Sequence, residues 1–116
     1  MVQIQQLQEN EIVILMLAGE IDAKSSIDLD LAIAKSVAEG FKKILIDCGQ
    51  LDYISSAGLG VFMSYIDEMK ESQTAMVLYG MSEKVASTFQ ILGLADMLAI
   101  RNTKEEAKQS ANELSI

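Results

Sequence analysis

The sequence ILIDCGQLDYISSAGLGVF, residues 44–62, joins a strand-like run to a helix-like run through a corner of small side chains. The run 44–46 is apolar throughout, as in a strand that is covered on both faces. After the corner, apolar residues recur at helical spacing, at Leu59, Phe62, Met63, Ile66 and Met69. The corner itself, residues 55–58, reads SSAG. The stretch therefore predicts a strand that ends at Asp47, a short connection and a helix.

Two further strands precede this stretch. Apolar residues alternate with glutamines in residues 2–7, which predicts a half-exposed strand. Residues 12–18 form a continuous apolar run, and the short connection between the two runs predicts a hairpin. A helix is then predicted to begin at an N-cap on Ser25, with Asp28 three positions on, and to end at Gly40. Its predicted inward face consists of Ile27, Leu31, Ala34 and Ala38.

Strands and helices continue to alternate after the corner. The predicted elements are a strand at 75–79, a helix capped by Ser82 and stopped by Gly93, a strand at 97–100 and a terminal helix at 103–114. The predicted order is β-β-α-β-α-β-α-β-α. Strict alternation after the first hairpin indicates parallel strands with an antiparallel first strand. We therefore predict an α/β fold with a mixed, mostly parallel sheet, in a single domain over residues 1–116.

The composition limits the classes of partner. Half of the 116 residues are apolar, and the formal net charge is −8. The negative charge argues against binding to nucleic acid or to an anionic membrane surface, and it favours a partner with a basic patch. Cys48 is the only cysteine, so a disulfide within the chain is excluded. With no signal-peptide pattern at the N-terminus, we expect a cytoplasmic protein.

The chain contains no histidine, the commonest general base and metal ligand. A serine nucleophile at the corner would lack a base, and the corner also lacks the leading glycine of a nucleophile elbow. Met63 stands where a dinucleotide-binding fingerprint that begins at Gly58 would have its third glycine. Four carboxylates near predicted strand ends lack calcium-loop spacing: Glu20, Asp22, Asp47 and Asp52. We predict a protein that is not an enzyme and has no metal site and no cofactor.

Two interpretations of the corner serines stay open. Ser55 precedes the helix, where serine is a good N-cap. Ser56 lies in the first turn, at the carboxyl edge of a parallel strand, where ligand and partner sites of such sheets gather. Ala57 and Gly58 leave room around the Ser56 hydroxyl, so another protein can reach it.

Three segments together resemble the bacterial anti-sigma factor antagonists, the single-domain members of the STAS family. The first is the stretch 44–62, with an aspartate after the strand and Ser-Ser-Ala-Gly-Leu-Gly at the corner. The second is LAGEIDAKSS, residues 17–26, and the third is MSEKVASTFQILGLADML, residues 81–98. The resemblance covers nearly the whole chain and implies the STAS fold.

The resemblance also implies roles for particular residues. Ser56 corresponds to the phosphoacceptor serine of the family, and Asp22 corresponds to an aspartate that lies near it in the fold. Ser55 stands where many members carry an aspartate. The implied partner-binding surface consists of Asp22, Ser55, Ser56, Ala57, Gly58, Leu59 and Gly60.

The mechanism that the resemblance implies is partner switching. The unphosphorylated protein binds an anti-sigma factor that is also an ATP-dependent serine kinase, and the sigma factor is released. Phosphorylation of Ser56 separates the pair, and a serine phosphatase restores it. ATP and magnesium belong to the kinase, and we expect the antagonist to be a monomer or a weak dimer. The alternative is a STAS module without phosphorylation, in a transport complex or as a regulator of another signalling enzyme.

Overall fold

The computed structural model describes the backbone of residues 1–114, and the last two residues of the predicted domain, Ser115 and Ile116, lie outside the described residues. Its strands are β1 (Val2–Glu9), β2 (Ile12–Ile21), β3 (Lys43–Ile54), β4 (Ala75–Tyr79) and β5 (Ala99–Arg101). Its helices are α1 (Ser26–Ala38), α2 (Ser56–Ser64), α3 (Ile66–Glu71), α4 (Glu83–Ile91) and α5 (Lys104–Leu114), and a 3-10 turn covers Leu94–Asp96.

The strands form a mixed sheet in the order β1-β2-β3-β4-β5. β1 runs antiparallel to β2, and each later pair of neighbours is parallel. The predicted α/β fold, its hairpin and its mostly parallel sheet are therefore confirmed. Asn10 lies in the hairpin turn with a φ of 56°, a conformation that asparagine adopts more readily than most residues.

The two faces of the sheet are covered unequally. Helices α1 to α4 pack on one face, where Leu29, Phe62 and Phe89 are fully buried against strand residues. On the other face, the helical members of the buried cluster are Ala107 and Ala111 of α5. The middle of the sheet is therefore buried on both sides, which accounts for the continuous apolar sequences of its strands.

Helix α5 is fastened to the hairpin by ion pairs. Glu9, at the end of β1, accepts hydrogen bonds from Lys104 Nζ and Lys108 Nζ, each at 2.6 Å. These two lysines lower the pKa of Glu9, and Lys104 has the larger effect. The contact joins residues that are far apart in sequence and holds α5 across the second face.

Helix α1 turns inward the face opposite to the predicted one. The four residues that were predicted to face the core are all exposed: Ile27, Leu31, Ala34 and Ala38. The residues buried in their place are Ser26, Leu29, Ile33 and Ser36. Ser26 and Ser36 can lie inward because each hydroxyl donates to a carbonyl oxygen a few residues earlier, at 2.7 and 3.1 Å. The prediction was wrong because both faces of α1 carry an aliphatic pair.

Strand β3 continues past its predicted end at Asp47 as far as Ile54. Its pairing with β2 shifts twice, and each shift gives β3 an extra residue, between Asp47 and Gln50 and between Leu51 and Tyr53. Its inward residues are therefore unevenly spaced, at Ile44, Ile46, Cys48, Leu51 and Ile54. Such β-bulges interrupt the two-residue alternation of a strand, which is why the predicted strand was too short.

The helix predicted after the corner is interrupted at Tyr65, which separates α2 from α3. Tyr65 is 8% exposed, and its hydroxyl donates a hydrogen bond to Asp30 Oδ1 of α1 at 2.7 Å. Burial in the first place, and then this bond, raises the pKa of Tyr65. Met63 was predicted to face the core but is 42% exposed. The break therefore ties the end of α2 to α1.

The elements after β4 follow the predicted order. The Ser82 hydroxyl accepts a hydrogen bond from Val85 N at 3.2 Å, which confirms the predicted cap of α4. Gly93 stops the segment with a φ of 73°, as predicted. The 3-10 turn that follows was not predicted. β5 begins at Ala99, two residues later than the predicted start of this strand. Within residues 1–114, no helix has the length and apolar character needed to cross a membrane.

Candidate functional site

β2 and β3 extend beyond the rest of the sheet as a two-stranded ribbon. β3 pairs with β4 from Lys43 to Asp47, whereas it stays paired with β2 as far as Ile54. At the end of the ribbon, Ser55 N donates a hydrogen bond to Ile21 O at 2.8 Å. This bond brings the turn after β2 next to the start of α2, and the predicted site residues lie on these two segments.

Ser55 is the N-cap of α2, as the sequence predicted. Its backbone is extended, with φ −83° and ψ 169°, and its hydroxyl oxygen accepts a hydrogen bond from Gly58 N at 3.2 Å. The side chain is therefore turned toward the first turn of the helix. A serine in this position satisfies one of the backbone N–H groups that a helix leaves unpaired at its start.

Ser56 is the first residue of α2 and is exposed to solvent. Its hydroxyl is free of the cap interaction that occupies Ser55. Ala57, the next residue, is exposed as well and has a side chain of a single methyl group. The surroundings of Ser56 are therefore open enough for another protein to approach the hydroxyl.

Gly58 and Gly60 differ sharply in their surroundings. A Cβ atom on Gly58 would lie 2.7 Å from Ile54 Cγ1 and 2.8 Å from Ile21 Cγ2, so α2 approaches the end of the ribbon too closely for a side chain. A Cβ atom on Gly60 would meet no atom within 4 Å. Leu59 is 2% exposed. Gly58 and Leu59 are therefore buried. They can influence the binding of a partner only indirectly, by setting the position of the exposed residues of α2.

Asp22 and Ser25 form a closed set of hydrogen bonds in the turn after β2. Asp22 Oδ1 accepts from Ser25 N at 2.8 Å and from Ser25 Oγ at 2.9 Å, and Ser25 Oγ accepts from Asp22 N at 2.9 Å. The bonds from the Ser25 backbone and then from its hydroxyl lower the pKa of Asp22. The Asp22 side chain is 55% exposed, and its Oδ2 lies 4.0 Å from the amino group of Met1.

This arrangement overturns the predicted role of Ser25 as a helix cap. Ser25 occupies the N-cap position of α1, but its backbone is helical and its side chain forms no capping hydrogen bond with the helix. The hydroxyl is engaged by Asp22 instead. The sequence motif of a serine with an acidic residue three positions on therefore gave the right place for the helix start and the wrong partner for the serine.

The other carboxylates considered for a metal site lie on strands β2 and β3. Asp47 lies within β3, where its Oδ1 accepts a hydrogen bond from Gly49 N at 2.9 Å. Asp52 follows in the exposed part of the ribbon. Within residues 1–114, no group of three acidic or sulfur side chains is arranged to hold a metal ion. Cys48 is fully buried, and burial, followed by the Asp47 carboxylate, raises its pKa to about 12, so the thiol is protonated at neutral pH.

The comparisons with known proteins agree with the resemblance seen in the sequence. The sequence model of the STAS domain matches residues 3–107. The chain belongs to the STAS domain family. This STAS domain is 34% identical over 93 residues to the anti-sigma-B factor antagonist of Listeria monocytogenes, a match that covers 79% of this chain and 81% of the relative.

Two solved structures show the same fold. The STAS domain is similar to an anti-sigma factor antagonist from Mycobacterium paratuberculosis, with a TM-score of 0.87 and 17% identity over 97% of this chain and 95% of that one. It is also similar to the Bacillus cell fate determinant SpoIIAA in its phosphorylated form, with a TM-score of 0.68 and 22% identity over 95% of this chain and 98% of that one.

Two exposed residues of this STAS domain were missing from the predicted surface. Met63 lies seven residues after Ser56 and three after Gly60, so these three exposed residues follow one face of α2. Tyr53, 44% exposed, lies on the ribbon just before the corner. A large apolar or aromatic side chain beside an open hydroxyl is a signal for a contact surface. The sequence did not reveal this signal, because the spacing of Met63 matched the apolar pattern of a helix face that packs on the core.

Proposed function

We propose that this STAS domain is an anti-sigma factor antagonist that exchanges partners under the control of phosphorylation at Ser56. The observation that carries the proposal is the arrangement of the two serines. Ser55 is occupied as the cap of α2, whereas Ser56 presents an exposed hydroxyl at the start of the same helix. The sequence similarity to an anti-sigma-B factor antagonist supports the class of partner.

The start of α2 is a place where the fold tolerates a phosphate. A phosphoserine adds about −1.5 to −2 charges at neutral pH. At the first position of a helix, the unpaired backbone N–H groups and the helix dipole favour negative charge. We therefore expect phosphorylated Ser56 to leave the fold intact.

The interface with the partner responds differently to the same phosphate. In the unphosphorylated protein, Ser56, Gly60 and Met63 offer a small, uncharged stripe on which a partner can pack. Phosphorylation would place a doubly charged group in this contact, and burying an unpaired charge costs several kcal/mol. The switch in this proposal is direct blocking of the interface and requires no refolding.

The kinase supplies the chemistry in this scheme. It would be an ATP-dependent serine kinase that is also the anti-sigma factor, and it would bind the ATP and magnesium. A serine phosphatase would reset the antagonist. In the proposal this chain contributes the acceptor hydroxyl and the docking surface, without a catalytic group, and it acts in the cytoplasm, where sigma factors are.

The test is phosphorylation by candidate serine kinases of the histidine-kinase-like class, followed by measurement of the intact mass of this chain. We expect the parent protein to gain one phosphate with Mg-ATP and Ser56→Ala to gain none while it still binds the kinase. Ser55→Ala is the matched control, because it removes the neighbouring hydroxyl. It should lose about 1 kcal/mol of stability with the cap and still accept phosphate.

Ser56→Asp tests the release step. It should fold normally and bind the kinase more weakly than the parent, although one charge imitates a phosphate only in part. Phosphate mapped to Ser55, or tight binding of the kinase by protein that is fully phosphorylated at Ser56, would contradict the proposal. Binding to a transport subunit without any phosphate transfer would favour the alternative STAS module.

A further inference from the structure

Ser25 is a buried serine at the start of a helix that it does not cap. It is 5% exposed, and its side chain forms no capping hydrogen bond with α1. A serine that caps contributes about 1 kcal/mol to a helix. Here the hydroxyl lies 2.9 Å from Asp22 Oδ1 and 3.2 Å from Glu20 O. With Ser25 N donating to Asp22 Oδ1 and Asp22 N donating to Ser25 Oγ, the two residues form a reciprocal pair of the capping-box kind around the turn before α1, so the Ser25 side chain acts on Asp22.

The bonds from Ser25 leave the two oxygens of Asp22 in different situations. Oδ1 receives both the backbone N–H and the hydroxyl of Ser25, at 2.8 and 2.9 Å. Oδ2 takes no part in these bonds and lies 4.0 Å from the amino group of Met1, and the Asp22 side chain as a whole is 55% exposed. The bonds to Oδ1 therefore hold the carboxylate in one orientation and leave Oδ2 without a bond from Ser25.

This carboxylate lies next to the phosphoacceptor corner. Asp22 directly follows Ile21, whose carbonyl oxygen accepts the hydrogen bond from Ser55 N at 2.8 Å. The turn that carries Asp22 therefore lies beside the start of α2, so one partner can cover both Ser56 and Asp22. The bonds from the Ser25 backbone and then from its hydroxyl favour the charged form of Asp22 and lower the pKa of its carboxyl group.

We propose that Ser25 is a positioning residue, which holds Asp22 Oδ1 so that Oδ2 is a fixed acceptor for a lysine or arginine side chain of the kinase. The inference rests on the proposed function, because it concerns the docking of the same partner. A carboxylate held in one orientation loses less side-chain freedom on binding than a mobile one. Ser25 itself stays buried and does not touch the partner.

The test is a double-mutant cycle on binding of the kinase that phosphorylates Ser56. Asp22→Ala and Ser25→Ala should each weaken binding about threefold to tenfold, as expected for coupled contacting residues. The double variant should bind no more weakly than Asp22→Ala alone, because Ser25 acts through Asp22. Ser25→Thr keeps the hydroxyl and should therefore bind the kinase as tightly as the parent does.

Ser26→Ala is the matched control. Ser26 is also buried, at 7% exposure, and its hydroxyl donates to Ala23 O at 2.7 Å instead of to the Asp22 carboxylate. It should leave kinase binding unchanged even if it lowers stability. A second readout needs no partner: in a carboxyl-detected NMR titration, the pKa of Asp22 should rise in Ser25→Ala and stay unchanged in Ser26→Ala.

The outcomes separate the inference from the proposed function. The positioning role is overturned if the losses of kinase affinity in Asp22→Ala and Ser25→Ala multiply in the double variant. It is also overturned if the pKa of Asp22 is unchanged in Ser25→Ala. Both conclusions hold even if Ser56 is phosphorylated. Parent-like binding by Asp22→Ala would overturn it too, while the Ser56 switch would stand. Failure of any kinase to bind, together with a raised Asp22 pKa in Ser25→Ala, would remove the proposed function and keep the positioning of Asp22.

Discussion

At the scale of single residues, Gly58 and Gly60 offer a matched pair of substitutions in one helix. Gly58→Ala brings a methyl group within 2.8 Å of two isoleucine side chains, so we expect it to destabilise the fold by about 1–3 kcal/mol. Gly60→Ala points into open space and should stabilise α2 by up to about 1 kcal/mol through better helix propensity. Urea denaturation of both variants checks the difference. If the two substitutions changed the free energy of unfolding equally, the residues around Gly58 would be able to make room for a methyl group without loss of stability.

The site residues differ in how far the sequence could predict them. Ser55 and Ser82 were predicted as caps and are caps, because a cap bond joins residues three apart and needs no information from the rest of the fold. Ser25 carries the same local signal, yet its hydroxyl bonds to Asp22. The bond to Asp22 also joins residues three apart, so the local signal fits both a cap bond three positions on and a partner three positions back, and the motif alone could not decide between them.

At the scale of elements, α1 provides the clearest test of which face is buried. Leu29 is fully buried, whereas Leu31, two residues later, is 61% exposed. Leu29→Ala should therefore cost about 2–5 kcal/mol of stability, as is usual for a leucine in a core. Leu31→Ala should change the stability by less than about 0.5 kcal/mol. Chemical denaturation of the two variants checks this, and a larger loss for Leu31→Ala would restore the face that the sequence predicted.

The wrong face of α1 and the short prediction for β3 have related causes. α1 offers an aliphatic pair on each side, Ile27 with Leu31 and Leu29 with Ile33, so its period alone leaves the inward side undecided. In β3 the bulges break the period itself. In both cases the deciding contacts come from the rest of the sheet, which a single segment does not contain. The order of the elements was predictable, since it depends on the number and type of periodic segments.

At the scale of the whole molecule, the second face of the sheet depends on the attachment of α5. The two lysines that contact Glu9 lower its pKa from the ordinary value of 4.5. A carboxyl group with a depressed pKa in the folded state stabilises the fold above its unfolded pKa, and this contribution is lost as the pH falls through the folded pKa. Glu9→Gln should therefore be less stable than the parent at neutral pH, and the difference in stability should shrink as the pH falls from 4.5 through the lowered pKa of Glu9 in the folded protein.

The measurement is the denaturation midpoint of the parent and of Glu9→Gln at several pH values between about 3 and 7, a range that includes the titration of carboxyl groups. Asp52→Asn is the control, because Asp52 is an exposed carboxyl within β3, outside the first turn of any helix, and takes part in none of the ion pairs of residues 1–114. A gap between parent and Glu9→Gln that stays constant over this range would show that the ion pairs do not stabilise the attachment of α5.

The bulges of β3 also matter for protein engineering. On the ribbon the inner face is formed by every third residue of β3, Cys48, Leu51 and Ile54, while the residues between them are open to solvent. A designer can therefore vary Asp52 and Tyr53 to change the proposed docking surface and leave the interior untouched. Deleting a single residue, in contrast, would rotate the rest of the ribbon and carry the corner serines with it. A graft of this surface onto a related scaffold has to include both strands of the ribbon with their bulges.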